Sequence, residues 1–334
     1  MSGMHTVIGG SGFIGTEFVK QLVAAGRKVR IADKRRSSTY PDLWTFADVC
    51  DKSSLKSALE GSEVVYNLAA EHNDNVRPRS LYDEVNVVGA QNVCRAAEKA
   101  SISRIVFTSS VAVYGFARPN VDETAALNPS NDYGRTKMQA EDVYREWLAS
   151  DIRRSLTIVR PTVVFGPRNR GNVYNLLHQM ASGRFVMVGS GGNVKSMAFV
   201  ENVAGFLAAT ASLGSGEHLF NYVDKPDLSM RELVTLVRRC LGKPARIGLC
   251  IPYGIGYAGG LAADVASAFL KREFPISAVR VKKFCATTQF SAPRIGSTGF
   301  RPSVTLREGL ERTIDYEFLG GRERDGSLPL FESE

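Results

Sequence analysis

The stretch of sequence that decides the fold is Thr6-Val-Ile-Gly9-Gly10-Ser11-Gly12-Phe13-Ile14-Gly15, close to the start of the chain. The β-branched run Thr6–Gly9 predicts a strand, and the three- and four-residue apolar spacing of Gly12–Ala25 predicts a helix directly after it. Three glycines spaced G-x-G-x-x-G allow this turn to approach a pyrophosphate, while the helix N-terminus offers N–H groups to the phosphates. The turn therefore predicts a dinucleotide site whose residues are Gly9, Gly10, Gly12, Phe13, Ile14 and Gly15.

Asp33 closes the second predicted strand, eighteen positions after Gly15. A carboxylate there accepts hydrogen bonds from the adenosine ribose and repels a 2′-phosphate, which favours NAD over NADP. Lys34 and the two arginines after it offset part of that repulsion, so NADP stays open. Asp48 and Val49 are placed to reach the adenine, although Asp48 is equally consistent with a simple turn.

Strands and helices alternate through the first half of the chain. The further predicted strands are Val29–Asp33, Val64–Ala70, Ile105–Ser110 and Leu156–Arg160, with a helix over Tyr82–Ala100. Such alternation predicts an α/β fold with a parallel sheet covered on both faces, a Rossmann-like doubly wound sheet. We expect this domain to cover residues 1–165 plus a returning segment near 199–212. A smaller α/β substrate lobe is expected from 166–198 and 213–334, and its last dozen residues read as a polar tail.

Composition excludes several classes of protein. The chain has 334 residues, 44% of them hydrophobic, and a net charge of +8, which is ordinary for a globular protein. Its 5 cysteines are scattered and its histidines lack metal-ligand spacing, so neither a disulfide framework nor a metal site is predicted. The basic surplus contains no long charge run or nucleic-acid motif, so no nucleic-acid partner is expected. The first residues lack the features of a signal peptide, which favours a cytoplasmic location.

The candidate catalytic residues are Tyr133, Lys137 and Ser110. Tyr133 and Lys137 are four residues apart on one face of a predicted helix. A lysine ammonium and an oxidised nicotinamide would lower the pKa of the tyrosine, which then serves as a base. Ser110 ends the strand 23 residues earlier, close to Thr108, and its hydroxyl can hold the oxygen that is deprotonated.

In this order the motifs resemble those of the extended short-chain dehydrogenases/reductases that act on nucleotide sugars. The motifs are Gly9–Gly15, Asn67–Ala70, Asn86–Gly89, Ser110, Tyr133 with Lys137, and Arg160-Pro161. The resemblance implies that Ser110, Tyr133 and Lys137 form the catalytic triad and that NAD is the cofactor. It also implies that Leu68, Ala69, Ala70, Thr108 and Pro161 line the cofactor, and that the chain forms a homodimer through the helices over 82–100 and 133–149.

Longer stretches are similar to a subgroup of these enzymes that epimerises N-acetylglucosamine at C4 on undecaprenyl diphosphate, for O-antigen and other surface polysaccharides. The stretches are Ala69–Asp74, Arg160–Leu177, Lys195–Val200, Asn221–Leu228 and Arg280–Phe290. Lys195-Ser-Met and Val163 stand where soluble UDP-hexose epimerases carry Arg-Asp-Tyr and Asn. The resemblance implies a 4-keto intermediate, a tightly held cofactor, and a sugar linked to a polyprenyl diphosphate or to UDP. A soluble UDP-N-acetylglucosamine or UDP-glucose 4-epimerase, a nucleotide 4-keto-sugar reductase and a non-catalytic NAD sensor remain alternatives.

Substrate contacts are predicted at positions flanking the cofactor site and in the lobe. The candidates are His72, Ser110, Val111, Arg168, Asn172, Asn175, Lys195 and Arg280. The uncharged stretch Ile247–Ala263 is too rich in glycine for a good membrane-spanning helix, which leaves a buried core helix or an interfacial segment. The basic residues that follow it, among them Lys271, Arg272, Lys282 and Lys283, suit anionic headgroups. Together with the resemblance, this favours peripheral contact with the inner face of the cell membrane.

Overall fold

The computed structural model describes residues 3–73, 76–116, 118–270, 277–325 and 330–331. A sheet of seven parallel strands forms the centre of the molecule. These strands are β1 (Met4–Ile8), β2 (Lys28–Asp33), β3 (Trp44–Phe46), β4 (Ser62–Asn67), β5 (Arg104–Thr108), β6 (Ser155–Pro161) and β11 (Gly216–Tyr222). Their order in the sheet is β11-β6-β5-β4-β1-β2-β3, and every neighbouring pair is parallel. The predicted Rossmann-like doubly wound sheet is confirmed.

Two layers of helices cover the sheet. One layer contains α1 (Phe13–Ala24) and α7 (Val200–Thr210), and the other contains α2 (Lys52–Leu59), α4 (Gly89–Lys99) and α5 (Asp132–Ala149). Side chains along each strand alternate between the two layers, so Val64 and Tyr66 join one core and Val65 joins the other. Burial on both faces explains why these strands read as apolar runs.

The chain changes direction across the sheet between β1 and β4. From β1 it continues through α1 to β2 on one side, whereas β4 lies on the other side. The loops that leave the carboxyl ends of β1 and β4 therefore diverge and open a crevice, which is where doubly wound sheets bind their ligands.

A third core cluster lies in the C-terminal half. It is built from helices α6 (Asn172–Ala181), α8 (Met230–Cys240) and α11 (Leu306–Phe318). Short strand pairs connect them: β7 (Val163–Phe165) with β10 (Met197–Phe199), β8 (Met187–Val188) with β13 (Cys250–Ile251), and β9 (Val194–Lys195) with β12 (Leu228–Ser229). The remaining helices are α3 (Ser80–Tyr82), α9 (Tyr253–Leu270), α10 (Ala278–Cys285) and α12 (Gly321–Arg324).

Two strands of the main sheet differ from the sequence prediction. β11 falls in the segment expected to belong to the smaller lobe, yet it pairs with β6 along its whole length. The 3-10 turn Pro293–Thr298 packs on β11, so the first unit extends past the predicted boundary at 212. β3 is only three residues long and β11 carries polar residues, so neither gives a strong apolar signal. The division into two domains otherwise stays a prediction.

The predicted helix over 82–100 contains a π-helical stretch, Asp83–Val88, between α3 and α4. A wider turn shifts the helical phase. Val88 is 44% exposed, while Asn86 is buried. The Asn86 amide accepts a hydrogen bond from the N–H of Glu71 and donates to the carbonyl of Glu71. It also donates to Thr136 Oγ1 at 2.9 Å, so it connects the loop after β4 to α5.

Within the described ranges, no helix combines the length and the apolar character needed to cross a bilayer. Lys271 and Arg272, part of the predicted basic segment, lie outside the described residues.

Candidate functional site

The glycine turn after β1 forms a close-packed cradle. Gly9 has a φ of +76°, and a Cβ there would lie 2.7 Å from the backbone nitrogen of Ala69. A Cβ on Gly15 would lie 2.3 Å from the carbonyl oxygen of Gly9, so α1 packs directly on the turn. Gly12 is the N-cap of α1 and no described side chain caps the helix there, so the N–H groups around Phe13 and Ile14 face the crevice mouth.

Asp33 lies beside this turn at the end of β2. Its carboxylate accepts hydrogen bonds from the N–H groups of Ser11 at 3.0 Å and Arg35 at 2.9 Å, so it fixes the turn as well as facing it. Lys34 is exposed. Farther along, the Asp48 carboxylate accepts from the N–H of Cys50 at 2.9 Å, as a turn residue does, and Val49 is buried in the core.

The other predicted cofactor residues lie at the same edge of the sheet. Leu68 N–H donates to the carbonyl of Ile8 at 2.9 Å, which places Leu68, Ala69 and Ala70 against the glycine turn. Thr108 and Pro161 are buried at the ends of β5 and β6. The Thr108 hydroxyl has no hydrogen-bond partner among the described residues.

Ser110, Tyr133 and Lys137 come together at the ends of β5 and α5. Ser110 follows β5, where its hydroxyl accepts from the N–H of Ala112 at 3.1 Å and is hydrogen-bonded to Tyr133. Asn131 caps α5 by accepting from Gly134 N–H at 2.8 Å, so Tyr133 is in the first turn. Lys137 is buried one turn later, with its Nζ 6.0 Å from the centre of the Tyr133 ring.

Burial controls both titratable groups of this cluster. It raises the pKa of Tyr133 to about 12, and the Ser110 hydrogen bond offsets only part of that rise. Burial lowers the pKa of Lys137 to about 7, opposed by the negative charge of Glu141. The Lys137 ammonium donates to the carbonyl of Thr108 at 2.7 Å, which fixes the side chain in the site. The protein alone therefore keeps Tyr133 protonated at neutral pH. The lowered pKa predicted from the sequence requires an oxidised nicotinamide beside the phenol.

Sequence reasoning missed a buried ion pair beneath this cluster. Glu141, one turn after Lys137 on α5, accepts from Arg160 Nε at 2.8 Å and Nη2 at 2.5 Å. It also accepts from the Ser109 hydroxyl at 2.6 Å, and Arg160 donates to the Tyr114 hydroxyl at 2.7 Å. The four-residue spacing of Lys137 and Glu141 is a signal that could have revealed it.

Four predicted substrate residues are exposed or half-buried. Val111 begins the 3-10 turn after Ser110 and is half-buried, while His72 is exposed on the loop after β4. Asn172 and Asn175 are exposed in the first turn of α6.

Arg168 is engaged with the C-terminal residues. Its N–H donates to Glu317 Oε1 at 2.8 Å, and its guanidinium lies 4.8 Å from the ring centre of Phe331. Phe331 in turn packs on Phe13 of the glycine turn, and its backbone pairs with the loop at Asn169. Phe331 is thus part of the packed structure, which corrects the expectation of a wholly polar tail.

Lys195 is used within the lobe. Its ammonium donates to the carbonyls of Lys283 at 3.0 Å and Ala286 at 2.6 Å, at the end of α10. Burial lowers its pKa. These contacts favour a structural role for Lys195 over the predicted contact with the substrate. Arg280 is exposed on the same helix.

A cavity of about 220 Å³ adjoins Tyr133 and was not foreseen. Its walls include Arg77, Arg79 and Asn131, so it presents positive charge beside the candidate base. Arg79 makes an ion pair with Asp132 at 2.5 Å. The arginines belong to no motif, so the sequence carried no signal for them.

The residues present fit NAD. The cradle has no room for a Cβ at Gly9 or Gly15, so a pyrophosphate can approach its backbone. Asp33 lies beside the turn, where such sites bind the ribose. The buried Thr108 hydroxyl, close to Lys137, has no hydrogen-bond partner among the described residues. The residues that would hold the cofactor are therefore the glycine turn, Asp33, Leu68–Ala70, Thr108, Tyr133 and Lys137.

Comparisons with known proteins agree with this geometry. The NAD dependent epimerase/dehydratase family matches residues 5–221. The N-acetyl-alpha-D-glucosaminyl-diphospho-ditrans,octacis-undecaprenol 4-epimerase of Escherichia coli O157:H7 is 47% identical over 321 residues, 96% of each chain. The sterol-4-alpha-carboxylate 3-dehydrogenase, decarboxylating, of Mus musculus is 27% identical over 92% of this chain and 89% of its own.

Among solved structures, MoeE5 in complex with UDP-glucose and NAD has a TM-score of 0.74 and 26% identity, covering 94% of this chain and 98% of its own. The family predicted from the motifs, and its NAD cofactor, are confirmed. The chain belongs to the NAD dependent epimerase/dehydratase family.

Proposed function

We propose that the protein is an isomerase that interconverts N-acetylglucosamine and N-acetylgalactosamine at C4 while the sugar is attached to undecaprenyl diphosphate. The observation that carries this proposal is the cluster of Ser110, Tyr133 and Lys137 beside a glycine cradle that fits NAD. The printed name of the relative that is 47% identical supports the choice of substrate. The product would serve O-antigen or another surface polysaccharide.

When bound, NAD supplies the acceptor and donor of the hydride that leaves and rejoins C4. In the first half of the reaction Tyr133 takes the proton of the sugar 4-hydroxyl, and Ser110 holds that oxygen by a hydrogen bond. In the second half Tyr133 returns the proton to the oxygen of the 4-keto sugar, after the sugar has turned over. The proton and the two electrons are restored, so substrate and product are isomers.

Tyr133 needs positive charge to act as a base. Its pKa is about 12 in the protein alone, so the phenolate is scarce at neutral pH. A protonated Lys137 and the positive charge of an oxidised cofactor both favour the phenolate. Glu141 favours the charged form of Lys137 and thereby supports this state.

The diphosphate end of the substrate needs cationic partners. Because the Lys195 ammonium already holds two carbonyls, we assign this role first to Arg77, which lines the cavity at Tyr133. Arg79 lines the same cavity and would have to share its charge with Asp132. Arg280 and the loop over 168–175, with Asn172 and Asn175, remain further candidates, and His72 and Val111 remain candidates for the sugar.

We also propose peripheral contact with the inner face of the cell membrane, because the lipid of such a substrate is anchored in the bilayer. A homodimer through α4 and α5, which pack together on one side of the sheet, is proposed as well.

Two enzymes with the same triad are the alternatives: a soluble UDP-N-acetylglucosamine or UDP-glucose 4-epimerase and a nucleotide 4-keto-sugar reductase. The test is to incubate purified protein, without added cofactor, with undecaprenyl-diphospho-N-acetylglucosamine in detergent or with UDP-N-acetylglucosamine in buffer. Conversion of the lipid-linked sugar alone supports the proposal, and conversion of the UDP-sugar alone refutes it. Turnover only after a 4-keto sugar and NAD(P)H are supplied identifies a reductase.

Tyr133→Phe is the matched variant for this assay. It removes the phenolic proton carrier and keeps the ring, so turnover should fall by at least about a hundredfold, the low end of general acid–base contributions. NAD that co-purifies with the variant should be unchanged. A variant that kept its turnover would exclude Tyr133 as the base, and a protein with no turnover in either form would match a non-catalytic NAD sensor.

A further inference from the structure

Helix α9 (Tyr253–Leu270) differs in composition from the other long helices. Its 18 residues include four glycines and one residue that is charged at neutral pH, Asp264. At 1.5 Å per residue the helix is about 27 Å long. So little charge is unusual for a helix at a protein surface.

One side of α9 packs closely on the protein. A Cβ on Gly260 would lie 2.7 Å from the backbone nitrogen of Ala278, and a Cβ on Gly256 would lie 2.6 Å from Val188 Cγ1. The Asp264 carboxylate accepts from the N–H of Ala278 at 3.0 Å, at the start of α10. Gly256, Gly260 and Asp264 are thus directed toward the lobe, whereas Gly254 and Gly259 have open space beside them.

The opposite side of α9 is apolar and exposed. Ile255 is 65% exposed, Val265 57% and Phe269 83%, with Leu261 at 47%. At 100° per residue these positions and Ala258 and Ala262 share an arc of about 120°, which makes one continuous face. This exposure excludes, for that face, the alternative of a buried core helix.

We propose that this exposed face of α9 docks on an anionic lipid bilayer and lies in its interface. The choice of a bilayer as the occupant rests on the proposed function, in which the substrate is a membrane lipid. Charge supports it independently: Lys282 and Lys283 are exposed on α10, which packs on α9, and the chain has a net charge of +8. Apolar side chains enter the acyl boundary while neighbouring lysines meet anionic headgroups.

The helix lies on the membrane surface and does not cross it. In the part of the chain that the structure describes, no helix is long and apolar enough to span a bilayer. Asp264 and the glycines on the packed side hold α9 against the lobe, so only the arc containing Val265 and Phe269 is free to enter lipid.

The experiment is co-sedimentation of the NAD-containing full-length protein with vesicles of phosphatidylethanolamine and phosphatidylglycerol that contain no substrate. The test variant is Val265→Glu combined with Phe269→Glu, at positions so exposed that the fold should be retained. The matched control is Ile152→Glu, which adds a charge at an apolar residue that is 94% exposed outside α9. We expect the test variant to bind vesicles at least about tenfold more weakly and the control to bind like the parent protein.

Three results would overturn the proposal. They are failure of the parent protein to bind vesicles, equal loss in the control, and normal vesicle binding by the test variant. If that variant also changes from dimer to monomer in sedimentation, α9 is a contact between two copies. Because the vesicles hold no sugar, the result is separate from that of the epimerase assay. A parent protein that binds but converts only UDP-sugar would retain the docking surface and lose the proposed substrate.

Discussion

The buried ion pair between Glu141 and Arg160 leads to a stability prediction that also concerns catalysis. Both side chains are almost completely buried, with 0% and 2% exposure. Glu141→Gln keeps the volume of the side chain but removes its negative charge, so the Arg160 guanidinium is left without a counter-charge. We therefore expect a large loss of stability and a weaker charge on Lys137.

The size of the loss follows from the geometry. Glu141 accepts two hydrogen bonds from Arg160, at 2.8 and 2.5 Å, and a third from Ser109 at 2.6 Å. Breaking such a buried pair costs about 3–5 kcal/mol in the free energy of unfolding. At about 2 °C per kcal/mol for a protein of this size, Tm should fall by roughly 6–10 °C.

The assay is thermal unfolding of the cofactor-free protein beside the matched variant Glu217→Gln. Glu217 pairs with Arg145 at 2.9 Å but is 37% exposed, so its loss should cost less than about 1 kcal/mol. Equal Tm values for the two variants would refute the reasoning. The double variant Glu141→Leu with Arg160→Met removes both charges and should recover part of the loss, which separates charge from packing.

Three further predictions concern the cofactor site. Gly15→Ala forces a Cβ to within 2.3 Å of a backbone oxygen, so NAD should bind at least about tenfold more weakly in titration, whereas Gly214→Ala, with open space around it, should not change binding. Asp33→Ala removes the carboxylate that would bind the ribose and repel a 2′-phosphate, and it leaves the N–H groups of Ser11 and Arg35 without that acceptor. The ratio of NAD to NADP affinity should therefore fall in the same titration. The pKa of Lys137 is about 7 in the folded protein and about 10.5 in the unfolded chain. Burying Lys137 therefore lowers the free energy of unfolding by an amount that grows as pH falls from 10.5 to 7 and is constant below pH 7. The Tm of cofactor-free Lys137→Met minus the Tm of the parent should therefore increase when pH is lowered from 9 to 7. A Tm difference that does not change with pH would contradict the assigned pKa.

The dinucleotide cradle and the cluster of candidate catalytic residues could be located from the sequence. Their signals are local: a turn that must contain glycine at Gly9 and Gly15, and a pair one helical turn apart in Tyr133 and Lys137. A parallel sheet then brings the carboxyl ends of β1, β4 and β5 to one edge, so the parallel topology alone is enough to predict that residues far apart in the chain lie close together.

Side chains whose role depends on a distant partner could not be assigned in this way. Lys195 was a candidate for contact with the substrate, but its ammonium donates to carbonyls about ninety residues later. Phe331 read as part of a polar tail, although it packs on Phe13 at the other end of the chain.

The sequence by itself determined the doubly wound sheet and the NAD cofactor, and it indicated the candidate catalytic residues, because periodicity, turn glycines and helical spacing act over a few residues. Only the tertiary structure decided which charges are neutralised inside the protein and which apolar face of α9 is left uncovered. Removing an apolar face from water is favourable both against the protein core and in a lipid interface, so the composition of α9 alone does not identify what covers it. The packing of Gly260 on Ala278 is what turned Phe269 outward.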